Sequence, residues 1–196
     1  MNLNSYNKIA HQWAAARSKS FVSRLVVDFA DKVSPKGKIL DIGCGPGFPL
    51  TKYLCDRGFT VTGIDFSGQM IEIARSLSIE SAAFIECDFH DFESPQKFDG
   101  VLAWDSLFHF PKESQESIYP KMGRLLKTGG YLLFTHGHKN GEHVDTMMGE
   151  SFYYSSLAKT KVEELLTVNG FQLEYVYDDY IERDSHRALV VLARKE

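Results

Sequence analysis

Apolar residues first recur at three- and four-residue spacing. Ile9 pairs with Trp13 and Ala10 with Ala14, and Phe21, Leu25, Phe29 and Val33 continue the pattern, which predicts helix over 6–33. Ser34-Pro35-Lys36-Gly37 breaks it. Apolar blocks of strand length then alternate with helical ones. Lys38–Ile42 reads as a strand running into Gly43-Cys44-Gly45-Pro46-Gly47, followed by a helix over about 48–57. Phe59–Asp65, Ala82–Glu86, Phe98–Trp104 and Tyr131–Thr135 read as further strands. Ser67 is the expected N-cap of a helix carrying Met70, Ile71, Ile73, Ala74 and Leu77. Pro111 opens another helix where its missing N–H does no harm, while Pro120 is expected to kink or split that helix. The polar stretch 136–156 reads as a long loop or short insertion. A helix over 157–169 stops at Asn169-Gly170, and 171–177 and 186–193 read as two strands with a polar connection.

Strands alternating with helices imply an α/β fold, a doubly wound and mostly parallel sheet covered on both faces. No helix separates the last two strands, so they can pair antiparallel at one edge. Nothing resembles a linker or a repeat, and 1–196 is expected to be a single domain with 1–33 as a helical segment within it. Such a sheet binds its ligand beyond the C-terminal ends of its strands. The site should therefore be built from 41–47, 65–70, 87–90, 104–109 and 135 onward.

Composition narrows the partners. The chain has 196 residues, 43% hydrophobic and 24% charged, with a formal net charge of −4. That balance excludes disordered and collagen-like classes. A mildly acidic chain without a basic stripe is expected to bind neither nucleic acid nor a membrane. Cys44, Cys55 and Cys87 are odd in number and form no C-x-x-C, so neither a disulfide framework nor a structural zinc site is expected. No apolar run is long enough to span a bilayer, and the first residues do not resemble a signal peptide. A reduced, cytoplasmic protein is the expectation.

The glycine turn points to a ligand approached closely by backbone. A dinucleotide fingerprint would place a third glycine at position 48, where this chain has Phe48, and Pro46 removes a backbone donor that could face phosphate. Asp41 beside the turn would repel a pyrophosphate but suits S-adenosylmethionine (SAM), which carries an ammonium, a sulfonium and no phosphate. Asp65, ending the second strand, can accept both ribose hydroxyls. Asp88 can accept from an adenine amino group, with Phe89 beside it to stack on the base.

These residues resemble the class I (Rossmann-like) SAM-dependent methyltransferases. The resemblance runs through Asp41-Ile42-Gly43-Cys44-Gly45-Pro46-Gly47, Gly63-Ile64-Asp65-Phe66-Ser67 with Met70, and Cys87-Asp88. It continues through Phe98-Asp99-Gly100-Val101, Leu125-Leu126-Lys127-Thr128-Gly129-Gly130 and Val168-Asn169-Gly170-Phe171. Thr128 stands where the family usually has proline. Tyr6-Asn7 with Ile9-Ala10, Trp13 and Arg17 resembles an N-terminal lid motif. The resemblance implies a seven-stranded sheet with an antiparallel last strand, a helical lid, and transfer of a methyl group from SAM to a small molecule by in-line displacement. It implies cofactor contacts from Gly43, Cys44, Gly45, Gly47, Phe66, Met70 and Trp104 beside the three aspartates and Phe89. Arg17 would hold the carboxylate of SAM, with Trp13 shielding the sulfonium. A non-catalytic SAM-binding regulator and an NAD-dependent oxidoreductase are the competing readings.

An activated methyl donor demands no obligatory catalytic residue; a base is needed only for a protonated acceptor. His136, directly after the fifth strand, is the expected base, and Tyr6 is expected on the acceptor side. His109 reads as a helix-start residue packed against a loop. His136, His138 and His143 lie on an expected loop without a nearby cysteine, so no metal is expected there.

Overall fold

The computed structural model describes residues 2–182 and 188–196. His186 and Arg187, expected to begin the final strand, lie outside the described residues. The segment expected as one helix over 6–33 is two, α1 (Asn2–Arg17) and α2 (Arg24–Lys32), and Ser23 caps the second by accepting the Leu25 N–H at 3.2 Å. After them come β1 (Lys38–Ile42), α3 (Leu50–Asp56), β2 (Thr60–Asp65), α4 (Gly68–Ser76), β3 (Ala82–Glu86) and β4 (Phe98–Ala103). Two short 3-10 turns then lead into α5 (Gln115–Leu125). The chain ends with β5 (Leu126–Gly137), β6 (Gly141–Met147), β7 (Glu150–Ser156), α6 (Lys159–Val168), β8 (Phe171–Tyr180) and β9 (Ala188–Lys195).

Among the described residues the main sheet has seven strands in the order β3-β2-β1-β4-β5-β9-β8. Its first five are parallel, and β9 runs antiparallel between β5 and β8. The doubly wound, mostly parallel fold expected from the alternating blocks is thus present. The order reverses between β1 and β4, which opens a crevice at their C-terminal ends. Leu40, Val101, Leu132 and Phe134 pack under α5 and α6 on one face, and Ile39, Leu102 and Leu133 pack with Phe29 and Leu54 on the other. Strand residues buried on both faces explain why these blocks read as continuous apolar runs.

Two expectations change. The stretch 136–156 is ordered: β5 continues to Gly137, and β6 and β7 form an antiparallel hairpin registered from Gly141↔Ser156 to Met147↔Glu150. Its polar look has a physical source, since β6 carries exposed side chains from Glu142 to Thr146. Pro120 neither splits nor ends α5, which runs through it; Ile118, Tyr119 and Met122 bury their side chains and hold the turn in place. α1 lies across the crevice, packed on α4 and on β7.

Candidate active site

A cavity of about 840 Å³ opens where the strand order reverses. Its floor is the turn after β1. Gly43 and Gly45 have φ of +73° and +54°, in the left-handed region that favours glycine. A Cβ on Gly45 would meet nothing nearer than Trp13 Nε1 at 4.0 Å, so this residue borders open space beneath the indole. A Cβ on Gly43 would collide with Ser106, and one on Gly47 would lie 2.8 Å from the Phe84 ring. Gly47 is therefore a packing glycine and does not border the cavity, a correction to its expected cofactor role.

Two carboxylates frame this floor. Asp65, at the end of β2, accepts the Gly45 N–H on Oδ2 at 2.9 Å and the Ser67 N–H on Oδ1 at 2.8 Å. Asp41, at the end of β1, accepts the Thr51 hydroxyl on Oδ2 at 2.6 Å. Burial pushes both carboxyls up to about 6, against the pull of these hydrogen bonds. Burial also raises the Cys44 thiol well above its ordinary range, so it stays protonated beside them. Asp88 and Phe89, after β3, both border the cavity, and Asp88 Oδ1 accepts the His90 N–H at 2.8 Å. Phe66, Met70 and Trp104 border it too.

The roof is α1. Tyr6, Trp13 and Arg17, spaced by seven and four residues, share the face turned to the cavity. The Arg17 guanidinium lies 5.6 Å from the Trp13 ring centre, with Nη1 3.8 Å from Asp105 Oδ2. Ser67 and Asn7 hold the helix down: the Ser67 hydroxyl, which caps α4 by accepting the Met70 N–H, donates to Asn7 Oδ1 at 2.7 Å. Ser5 donates to Ser151 O at 2.8 Å, tying α1 to the hairpin.

The far end holds a linked set. Tyr6 Oη lies 2.7 Å from His109 Nε2, and its ring meets Phe152 edge-on at 4.7 Å. His109 Nδ1 lies 3.0 Å from Asn2 Nδ2 and 3.2 Å from Tyr153 O. Burial lowers the His109 imidazole to about 4 and raises the Tyr6 phenol well above its ordinary value, so both are neutral near pH 7. His109 thus packs against the stretch 136–156 as expected, but it ends a 3-10 turn and also borders the cavity. Asn2 and Glu142 also border the cavity and were missed. The signal for Asn2 was available: Asn2, Ser5 and Ile9 carry the buried spacing of α1 back beyond Tyr6.

His136 is not at this site. β5 runs two residues past Thr135, pairs His136 with Leu189, and turns its side chain to the same face as Leu132 and Phe134. The imidazole is 0% exposed, with Nε2 3.0 Å from Gln115 Oε1. The Gln115 amide in turn donates to Leu107 O at 2.9 Å and to Ser155 Oγ at 2.9 Å. His136 therefore pins the 3-10 turn and the hairpin to the sheet, and the expected base is a structural residue. His138 lies 3.8 Å from Asp179 and His143 stacks on Tyr154, so the three histidines separate.

Residues 39–130 match the family described as Methyltransferase domain. That match takes in the strands and turns that floor the cavity. The chain is 31% identical over 153 residues to a ubiquinone biosynthesis O-methyltransferase of Chromobacterium violaceum, a match covering 72% of this chain. The aligned part spans 65% of that relative's length, just under two thirds. Its fold is also that of a 1,6-didemethyltoxoflavin-N1-methyltransferase of Burkholderia thailandensis, solved with 1,6-didemethyltoxoflavin and S-adenosylhomocysteine. There the TM-score is 0.76 at 18% identity, covering 98% of this chain and 86% of the other. A magnesium protoporphyrin IX methyltransferase of Synechocystis, solved with S-adenosylhomocysteine, gives 0.75 at 18% identity, covering 99% and 97%.

Proposed function

We propose that this chain binds SAM across the turn after β1 and transfers its methyl group to a small-molecule acceptor held beneath α1. The observation that carries this is the open space at Gly45, enclosed by the Asp65 carboxylate and the Trp13 indole. The donor set fits. Asp65 keeps lone pairs for the ribose hydroxyls beyond its two backbone bonds, and Asp88, at the cavity edge, would accept from the adenine amino group. Asp41 supplies negative charge for an ammonium, and Arg17 positive charge for a carboxylate. SAM supplies a methyl already activated on its sulfonium. The chain's task is then to align the acceptor and exclude water, and α1 and the hairpin roof the cavity for both purposes.

Calorimetry with S-adenosylhomocysteine (SAH) and with NAD tests the reading. SAH should bind and NAD should not; SAH failing to bind overturns it. Labelled-methyl transfer to pooled small molecules then separates an enzyme from a SAM-binding regulator.

A further inference from the structure

The turn that leaves β4 meets the cofactor turn at the cavity. Ser106 donates to Ile42 O at 2.8 Å and so joins it to the turn after β1. Asp105 beside it has a φ of +54°, and its N–H donates to Thr135 Oγ1 at 2.7 Å. Asp105 borders the cavity, with Oδ2 3.8 Å from Arg17 Nη1, beyond hydrogen-bond distance. Its charge also reaches Tyr6: burial is the first cause of that phenol's rise, and the Asp105 carboxylate adds to it. Asp105 thus stands between Arg17, proposed to hold the carboxylate of SAM, and Tyr6, expected on the acceptor side. Donor and acceptor meet here in the reading above.

We propose that the methyl acceptor is an amine and that Asp105 is the carboxylate beside its nitrogen. The proposal rests on the proposed function, because it names the acceptor class of the same cavity. In the displacement the amine is neutral, its extra proton already lost to solvent, and its lone pair forms a bond to the methyl carbon. The carbon–sulfur bond breaks and its electron pair stays on sulfur, giving SAH and an N-methylammonium. Positive charge therefore moves from sulfur to nitrogen, and a carboxylate beside the nitrogen stabilises the charge as it develops. The rest of the lining favours the same charge. Beyond the carboxylates proposed as cofactor contacts, Glu86, Asp105, Glu113 and Glu142 border the cavity, and among its described lining residues Arg17 is the only lysine or arginine. In the loaded site the carboxylate of SAM competes with Asp105 for Arg17, which leaves the Asp105 charge to the acceptor. Tyr6 meets Trp13 and Phe66 edge-on, at 6.3 and 5.9 Å between ring centres, so three aromatic rings wall this part of the cavity. Such rings attract a cation and offer an anion nothing. A phenolate or carboxylate acceptor would face four carboxylates and one engaged guanidinium.

Three benzyl compounds of similar size read the charge. N-Methylbenzylamine is a cation near neutral pH and has the form of the product. Benzyl methyl ether is its neutral isostere, and phenylacetate is an anionic counterpart. SAH affinity is measured first by calorimetry, so a failure there strikes the proposed function alone. Ligand-observed NMR titration of the SAH-loaded wild-type protein should then show the amine binding about three- to tenfold more tightly than the ether, the effect of one charge-assisted bond to a partly exposed carboxylate. Phenylacetate should bind most weakly. Asp105→Asn keeps the shape of the side chain and removes its charge; it should still bind SAH and should lose the preference for the amine over the ether. The wild-type ordering does not depend on any variant folding. Equal affinities, tighter binding of the ether or of phenylacetate, or binding of no probe overturns the amine class. A folded Asp105→Asn protein that keeps the preference overturns the role of Asp105.

Discussion

Replacing His136 by leucine separates a structural histidine from a catalytic one. The substitution keeps the volume and removes the N–H that Gln115 Oε1 accepts at 3.0 Å. An unpaired buried acceptor costs about 1–3 kcal/mol near neutral pH. The effect should depend on pH with a definite sign. Burial lowers the folded imidazole from 6.5 to about 4. The unfolded chain then binds the extra proton first, so the neutral histidine's contribution is complete above pH 6.5 and is lost as pH falls toward 4. At 1.36 kcal/mol per unit, the wild-type protein loses about 2 kcal/mol from this group between pH 6.5 and 5, and about 3 kcal/mol by pH 4. His136→Leu lacks that loss. Asp41, Asp65 and His109 titrate in both proteins and cancel in the difference. Urea unfolding followed by tryptophan fluorescence at pH 7.5, 6 and 5 should show the gap between the two proteins closing by about 2 kcal/mol. SAH affinity should be unchanged. A pH-independent gap refutes the buried-neutral assignment, and a stable variant that binds SAH but has lost methyl transfer refutes the structural one.

Other outcomes follow from the same geometry. Asp65→Ala removes the proposed ribose acceptor and should weaken SAH at least tenfold by calorimetry, since charge-assisted bonds contribute roughly 1.5–3 kcal/mol each; unchanged affinity in a folded variant removes Asp65 from the site. With Asp41 and Asp65 titrating at about 6, SAH affinity should fall as pH drops from 7.5 to 5, because a protonated carboxyl accepts more weakly; a flat profile contradicts their cofactor role. Arg17→Ala should weaken SAH but spare methylthioadenosine, which lacks the amino-acid end, and equal weakening of both would show that Arg17 does not hold the carboxylate. Gly47→Ala should lower the melting temperature, because its φ of +79° and the Phe84 ring both resist a Cβ, and an unshifted Tm refutes the packing role.

The chain's periodicity determined its α/β order, the parallel core of the sheet and the position of the crevice, because strands buried on both faces and amphipathic helices leave local signatures. That Asp41, Gly45 and Asp65 border the crevice was legible for the same reason. Each lies within a few residues of a strand end, where the fold places its ligand whatever the rest of the chain does. His136 was misread because one extra pair of strand residues moved it from a loop into the sheet interior, and strand ends carry no local mark as clear as a helix cap. The β6–β7 hairpin escaped detection because its first strand is exposed along most of its length and shows no alternation. Asn2, Tyr6, His109 and Tyr153 meet only in the folded chain, up to 151 residues apart in sequence. Their meeting was invisible because a contact between distant residues belongs to the packed set and to no single residue. Only the packing of α1 against the hairpin brings the Asn2 amide onto the Tyr153 backbone and Tyr6 onto His109.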